Sequence, residues 1–273
     1  MNLILESVLY YPFMRRALVA GVLLSLCCAL LGVNLVLKRY SMIGDGLSHV
    51  GFGAMAVAIA LGFAPLAVAI PVVIIAAFLM LRLNASAKLK GDSAIALIST
   101  SALAIGVMAV SMSSGMNMDI LNYMFGSILA MTRADVVLSI CLCTFVLILF
   151  VAFYNRMFSV TFDEAFASAS GVRVNLYNML LSVLTAVTIV LGMRMMGAML
   201  ISSLIIFPAL TAMRLCKNYR GVVIASAVIS VICFVIGLFI SYIAATPTGA
   251  SIVLVNLLAF LFASAAAYVM KRG

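Results

Sequence analysis

The stretch RRALVAGVLLSLCCALLGVNLVLKR, residues 15–39, decides the fold class. Between its two basic pairs lie 21 residues, Ala17 to Leu37, without a single charge. A helix rises about 1.5 Å per residue, so a run of that length reaches across a hydrocarbon core of roughly 30 Å. Similar runs recur to the C-terminus. The chain is 67% hydrophobic and 8% charged, where soluble domains are about a quarter charged. The expectation is an all-α polytopic membrane protein.

Working outward, the apolar runs predict about nine transmembrane helices, with eight possible: 17–37, 43–62, 65–83, 93–113, 136–155, 174–193, 195–214, 221–243 and 250–270. Gly62 to Pro65 divides one long run, Arg194 divides another, and Pro247 to Gly249 marks the last turn. No long linker interrupts the pattern, so residues 1–273 read as one transmembrane domain. No small-residue cleavage site follows the first span, and no removable signal peptide is expected. Residues 113–135, SSGMNMDILNYMFGSILAMTRAD, are too polar to span and too apolar for a free loop. They predict a short helix or re-entrant piece, which is stable only where protein covers its backbone.

The formal charge of +9 does not imply nucleic-acid binding, because the sixteen Lys and Arg residues fall almost entirely between spans. With the N-terminus outside, twelve of them face the cytoplasm, and only Arg15, Arg16, Arg133 and Arg194 lie on the other side. The positive-inside rule therefore predicts N-terminus out and C-terminus in. The six cysteines all lie within or at the edge of spans. Neighbours one or two apart point to different helix faces, so Cys27/Cys28 and Cys141/Cys143 read as small packing residues. The nineteen methionines include Met108, Met112 and Met116 at a spacing of four. Thioethers suit Cu(I), but methionine is also a flexible filler of helix bundles.

The second informative stretch is KRYSMIGDGLSHVGFGAMAVAIALG, residues 38–62, where Asp45 and His49, the only histidine, enter an apolar run. A spacing of four sets both side chains on one helical face, and places them about 9 and 15 Å beyond Arg39. An ionised aspartate at the bilayer centre costs about 2.5–3.5 kcal/mol on insertion scales, so it requires a cavity or a partner. Carboxylate oxygen and imidazole nitrogen are ligands for zinc and manganese. Gly44, Gly46, Gly51 and Gly53 bracket the pair and permit unwinding or close backbone approach. The bland alternatives are a packed histidine bonded to a neighbour or to Asp45, and an Asp45 that accepts backbone amides at a helix start.

The longest segment on the inner side is NRMFSVTFDEAFASASGVRVN, residues 155–175. Asp163-Glu164-Ala165 opens a short helical pattern, Ser170 closes the small-residue run, and Gly171 ends it, in keeping with helix polarity and capping. Such a helix either docks a partner or is an ordinary capped loop helix.

With these residues in view, the chain resembles the zinc- and manganese-type ABC transporter permeases, the membrane subunits of bacterial metal-ion importers. The resemblance rests on LKRYSMIGDGLSHVGFGAMAVAIALG (37–62), LNYMFGSILAMTRAD (121–135), residues 169–215 and TPTGASIVL (246–254). It implies a homodimeric permease in the bacterial plasma membrane, a cytoplasmic ABC ATPase subunit, and an extracytoplasmic metal-binding protein. It further implies metal handling at Asp45 and His49, with Asp119 and Asn122 as weaker candidates. The segment about 156–173 becomes a coupling segment, carried by Asp163, Glu164, Ala165, Ser170 and Gly171. Zn2+ comes first as transported substrate and Mn2+ next, with no resident cofactor.

Some manganese-type members carry further histidines on the span equivalent to 174–193, and this chain has none there. Asn34, Thr185 and Ser202 are the other polar candidates. No G-x-x-x-x-G-K-[ST] phosphate loop is present, so ATP hydrolysis is expected on a separate polypeptide. The competing readings are a proton-coupled secondary metal transporter and a permease for a chelated metal such as a siderophore. An intramembrane enzyme is disfavoured, because no second carboxylate or paired nucleophile accompanies His49.

Overall fold

A computed structural model describes residues 11–84, 91–112 and 133–270, and its regular elements are all helices. In chain order they are α1 (Pro12–Leu37), α2 (Ser41–Ala60), α3 (Pro65–Asn84), α4 (Gly91–Met112), α5 (Arg133–Ala152), α6 (Tyr154–Phe162), α7 (Glu164–Ala169), α8 (Val174–Met196), α9 (Ala198–Leu215), α10 (Tyr219–Ala244) and α11 (Thr248–Met270). Each of the nine expected spans coincides with a helix. Among the described residues, eight are long and apolar enough to cross a membrane, and the apolar stretch of α9, Leu200–Leu215, is shorter.

Two boundaries differ from the sequence reading. Arg194 does not separate helices; it lies in the last turn of α8, and the break falls at Gly197, whose φ of 86° departs from the helix. The arginine is accommodated because its guanidinium reaches Asp135 at the start of α5, 2.9 Å away. The fifth span ends at Ala152, and residues 154–162 form a separate nine-residue helix, α6, rather than a loop. The re-entrant reading of residues 113–135 falls outside the described residues, apart from 133–135, which open α5.

Helices α1, α2 and α8 form the inner layer: 72% of positions in their apolar windows are buried, against 17% in α11 and 22% in α4. Helix α2 packs most closely on α4 and α3, while α9 and α10 both pack on α1 and α11. The α2–α4 crossing depends on small residues. A Cβ built on Gly53 would lie 2.3 Å from the carbonyl oxygen of Ala102, and one on Gly106 would lie 2.7 Å from the Gly53 Cα. Of the glycines in the 38–62 stretch, Gly53 serves close backbone approach, while Gly46 and Gly51 make room for the side chains of Ile95 and Met193; α2 is not unwound.

Candidate functional site

Asp45 and His49 occupy the second and third turns of α2, where the residues around them, Gly44, Gly46, Leu47, Ser48 and Val50, are buried. Asp45 and His49 are not. Their side chains keep 43% and 30% exposure, so the pair faces an open surface from within the most enclosed layer of the bundle. His49 Nε2 stands 3.6 Å from Asp45 Oδ2. The other carboxylate oxygen, Oδ1, accepts a hydrogen bond of 3.0 Å from the Ser202 hydroxyl on α9. One helix therefore supplies an acid and an imidazole one turn apart, and a second helix orients the acid.

This arrangement has limited but defined chemical capacity. The carboxylate and the imidazole are hard and intermediate donors suited to a divalent transition ion, and the hydroxyl fixes one carboxylate oxygen. Among the described residues no group of three or more His, Cys, Asp and Glu converges. An ion bridged by two side chains keeps water in its remaining positions and leaves easily. The backbone-cap alternative for Asp45 does not describe its contacts: it sits inside α2, and its side chain meets Ser202 and His49.

The weaker candidates separate. Asn34 sits in the last turn of α1, and its amide oxygen accepts from Tyr219 (2.8 Å) and Thr161 (3.1 Å). Thr185 bonds to Leu181 of its own helix. Ser202, weak by sequence, is the one that meets Asp45. Asp119 and Asn122 lie outside the described residues.

Residues 163–172, within the segment expected to couple, form a compact hook. Asp163 caps α7, its carboxylate accepting from the Phe166 amide at 2.9 Å, and Gly171 closes it at φ 80°. The amides of Gly171 and Val172 donate back to Ser168 and Ala167. Helix α7 buries only Ala167; Glu164, Ala165 and Ser170 face out, and Phe166 is 65% exposed. Beside it runs a groove of about 790 Å3 lined by Glu164, Ala165, Ser168, Gly171 and Arg173 among others. Burial pushes the Glu164 carboxyl up, but hydrogen bonds from Lys38 and Asn178, with the lysine's charge, hold it below the usual glutamate range. Helix α6 anchors this hook through an aromatic cluster in which Phe158, Phe162 and Tyr154 surround Tyr219.

Sequence reasoning missed Lys38 and Asn178. Lys38 reads as half of an exposed loop pair, yet its side chain is only 5% exposed, and its ammonium is 2.7 Å from Glu164. No spacing rule links residue 38 to residue 164, so nothing in the sequence announces the contact. Phe162, the last residue of α6, and Phe166, in α7, are both exposed although they are large and apolar.

Comparisons with known proteins agree with this geometry. The family model described as the ABC 3 transport family matches residues 10–267. The chain is 32% identical to the high-affinity zinc uptake system membrane protein ZnuB of Haemophilus influenzae, over 92% of this chain and 96% of that protein. It is 28% identical to the manganese transport system membrane protein MntC of Halalkalibacterium halodurans, over 98% and 91% respectively. Its fold superposes on the solved structure of PsaBC from Streptococcus pneumoniae in complex with Fab with a TM-score of 0.86, at 28% identity over 96% of this chain and 94% of that one. With a family model matching nearly its whole length and a relative 32% identical over 92% of it, this multi-pass plasma-membrane chain belongs to the ABC 3 transport family.

Proposed function

We propose that the chain is the permease subunit of an ATP-driven importer, and that Asp45 and His49 pass a divalent transition metal ion, zinc ahead of manganese, into the cell. The observation that carries this reading is the paired, partly exposed acid and imidazole in an otherwise buried helix. Charged groups inside a membrane bundle are costly and mark pathways when they face an accessible surface. The names of the relatives, zinc uptake in one and manganese transport in another, place both ions within the class.

The rest of the machine follows from the same reading. Residues 1–273 act as one permease domain, and two copies pair so that the open face of α2 borders the passage. ATP is hydrolysed by a separate ATPase subunit that grips Asp163, Glu164, Ala165, Ser170 and Gly171 in the 156–173 segment from the cytoplasm. The N-terminus lies outside and the C-terminus inside, and a metal-loaded binding protein docks from the outer side. Two ion pairs support the alternation of the spans on which this sidedness rests. Lys38–Glu164 joins segments assigned to the inner side, and Asp135–Arg194 joins segments assigned to the outer side.

Uptake of radiolabelled zinc and manganese in a transporter-deficient host tests the proposal. Wild-type chain with its ATPase should restore uptake, and Asp45→Asn or His49→Ala should reduce it at least tenfold at equal membrane abundance. Undiminished uptake in both variants would sink the metal role. Uptake with no ATPase present would sink the ATP-driven mechanism and favour the proton-coupled alternative.

A further inference from the structure

Glu164, Lys38 and Asn178 close a triangle at the inner end of the bundle. The Lys38 ammonium donates to Glu164 Oε1 at 2.7 Å and to the side-chain oxygen of Asn178. The Asn178 amide donates to the same Glu164 oxygen at 3.1 Å. Three helices meet there: α1 ends at Leu37 with Lys38 as its cap, α7 begins at Glu164, and Asn178 stands in the second turn of α8. A lysine with a side chain 5% exposed is desolvated, and removing one partner of such a pair strands the other.

The connection from Lys38 to α2 is short and stiff. The amides of Lys38, Arg39 and Tyr40 donate back to Asn34, Val36 and Leu35 of α1, at 3.0, 3.0 and 2.7 Å. Arg39 holds a left-handed φ of 61°, and Tyr40 is the residue before α2. From Ser41 the helix runs unbroken through Asp45 and His49. Only two residues, Arg39 and Tyr40, therefore separate the lysine from the helix that bears the acid–imidazole pair. Glu164 lines both the groove beside α7 and a cavity of about 390 Å3 bordered by Tyr40, so it stands between the outer surface of the hook and the foot of α2.

We propose that Lys38 is a positioning residue for transport: held by Glu164 and Asn178, it is the link through which a push on α7 moves the foot of α2 and so the Asp45–His49 pair. This rests on the importer reading above. Coupling between distant sites needs a contiguous element that both ends bias, and the α7–Lys38–α2 path is such an element. Exposed ion pairs contribute little, but this one buries its cation and is geometrically closed.

The test uses the permease with its ATPase in proteoliposomes, and reads metal imported per ATP hydrolysed. Lys38→Met and Lys38→Gln should retain ATP hydrolysis within about threefold while the import-to-hydrolysis ratio falls at least tenfold. Lys38→Arg, which keeps the charge, should hold the ratio within about threefold. Co-purification of the ATPase reports assembly, so that loss of the subunit is not mistaken for uncoupling. An unchanged ratio in Lys38→Met overturns the proposal, as does a loss matched by loss of the ATPase in both neutralising variants. Asp45→Asn in the same preparation separates the two readings. If it imports normally the metal role fails, whereas the link stands or falls on the Lys38 ratio.

Discussion

Asp45 divides its two oxygens between different partners, and the division can be read by substitution. Ser202→Ala removes only the donor to Oδ1. Loss of one net hydrogen bond is worth about 0.5–1.5 kcal/mol, so uptake at low ion concentration is expected to fall roughly two- to tenfold. The maximal rate should stay near wild type, since both proposed ion ligands remain. Equal falls in both quantities, measured in saturation curves of labelled zinc, would assign Ser202 to packing instead. Gly53 gives a stability test. Gly53→Ala places a Cβ against the Ala102 carbonyl, where backbone must shift. Overpacking of this kind costs about 1–3 kcal/mol, and thermal unfolding in detergent should show it as a lower midpoint.

At this scale the acid–imidazole pair was legible because a spacing of four fixes a shared face whatever the tertiary structure. Ser202 was legible only as a weak polar candidate, because a serine 157 residues away can be matched to Asp45 only after α9 has packed beside α2.

Among the elements, α7 shows how local chemistry sets a boundary. Asp163 at its start and Gly171 beyond its end were readable from residue type, and both took the places that capping assigns them. The preceding helix was passed over as part of the inner segment, although the nine residues of α6 are amphipathic in sequence and pack on Tyr219. The carboxyl of Glu164 also gives a pH expectation. Its folded value lies below its ordinary one, so the stabilisation it brings is fully present above the ordinary glutamate value and is lost as pH falls through the folded value. The difference in unfolding midpoint between wild type and Glu164→Gln should hence stay flat from pH 8 to about 5 and shrink only at more acidic pH, where ordinary glutamates titrate. A difference that vanishes near neutrality would show that the contact with Lys38 does not hold the carboxylate.

Across the whole molecule, the apolar runs carried most of the information, since bilayer thickness dictates helix length with little help from packing. What they concealed was layering. Helices α2 and α8 have the lowest mean hydropathy of the eight spans, 1.3 and 1.9, and yet lie inside with α1, where glycines at the crossings allow close packing. The sidedness argued from sixteen basic residues is checked by reporter fusions: a C-terminal reporter that is active only in the cytoplasm should be active, and one placed after Gly62 should be silent. The reverse pattern would invert the assignment of α7 to the ATPase side.

Phe162 and Phe166 stand 58% and 65% exposed at the hook. Two benzyl rings facing water suit a surface that is meant to be covered, and they become a liability when it is not. A copy synthesised in excess of its ATPase would display a greasy handle to the cytosol, and proteases that clear orphan subunits recognise that kind of lesion. The cellular lifetime of the chain is therefore expected to lengthen when the ATPase is co-produced, and replacing both phenylalanines with serine should make the lifetime independent of it.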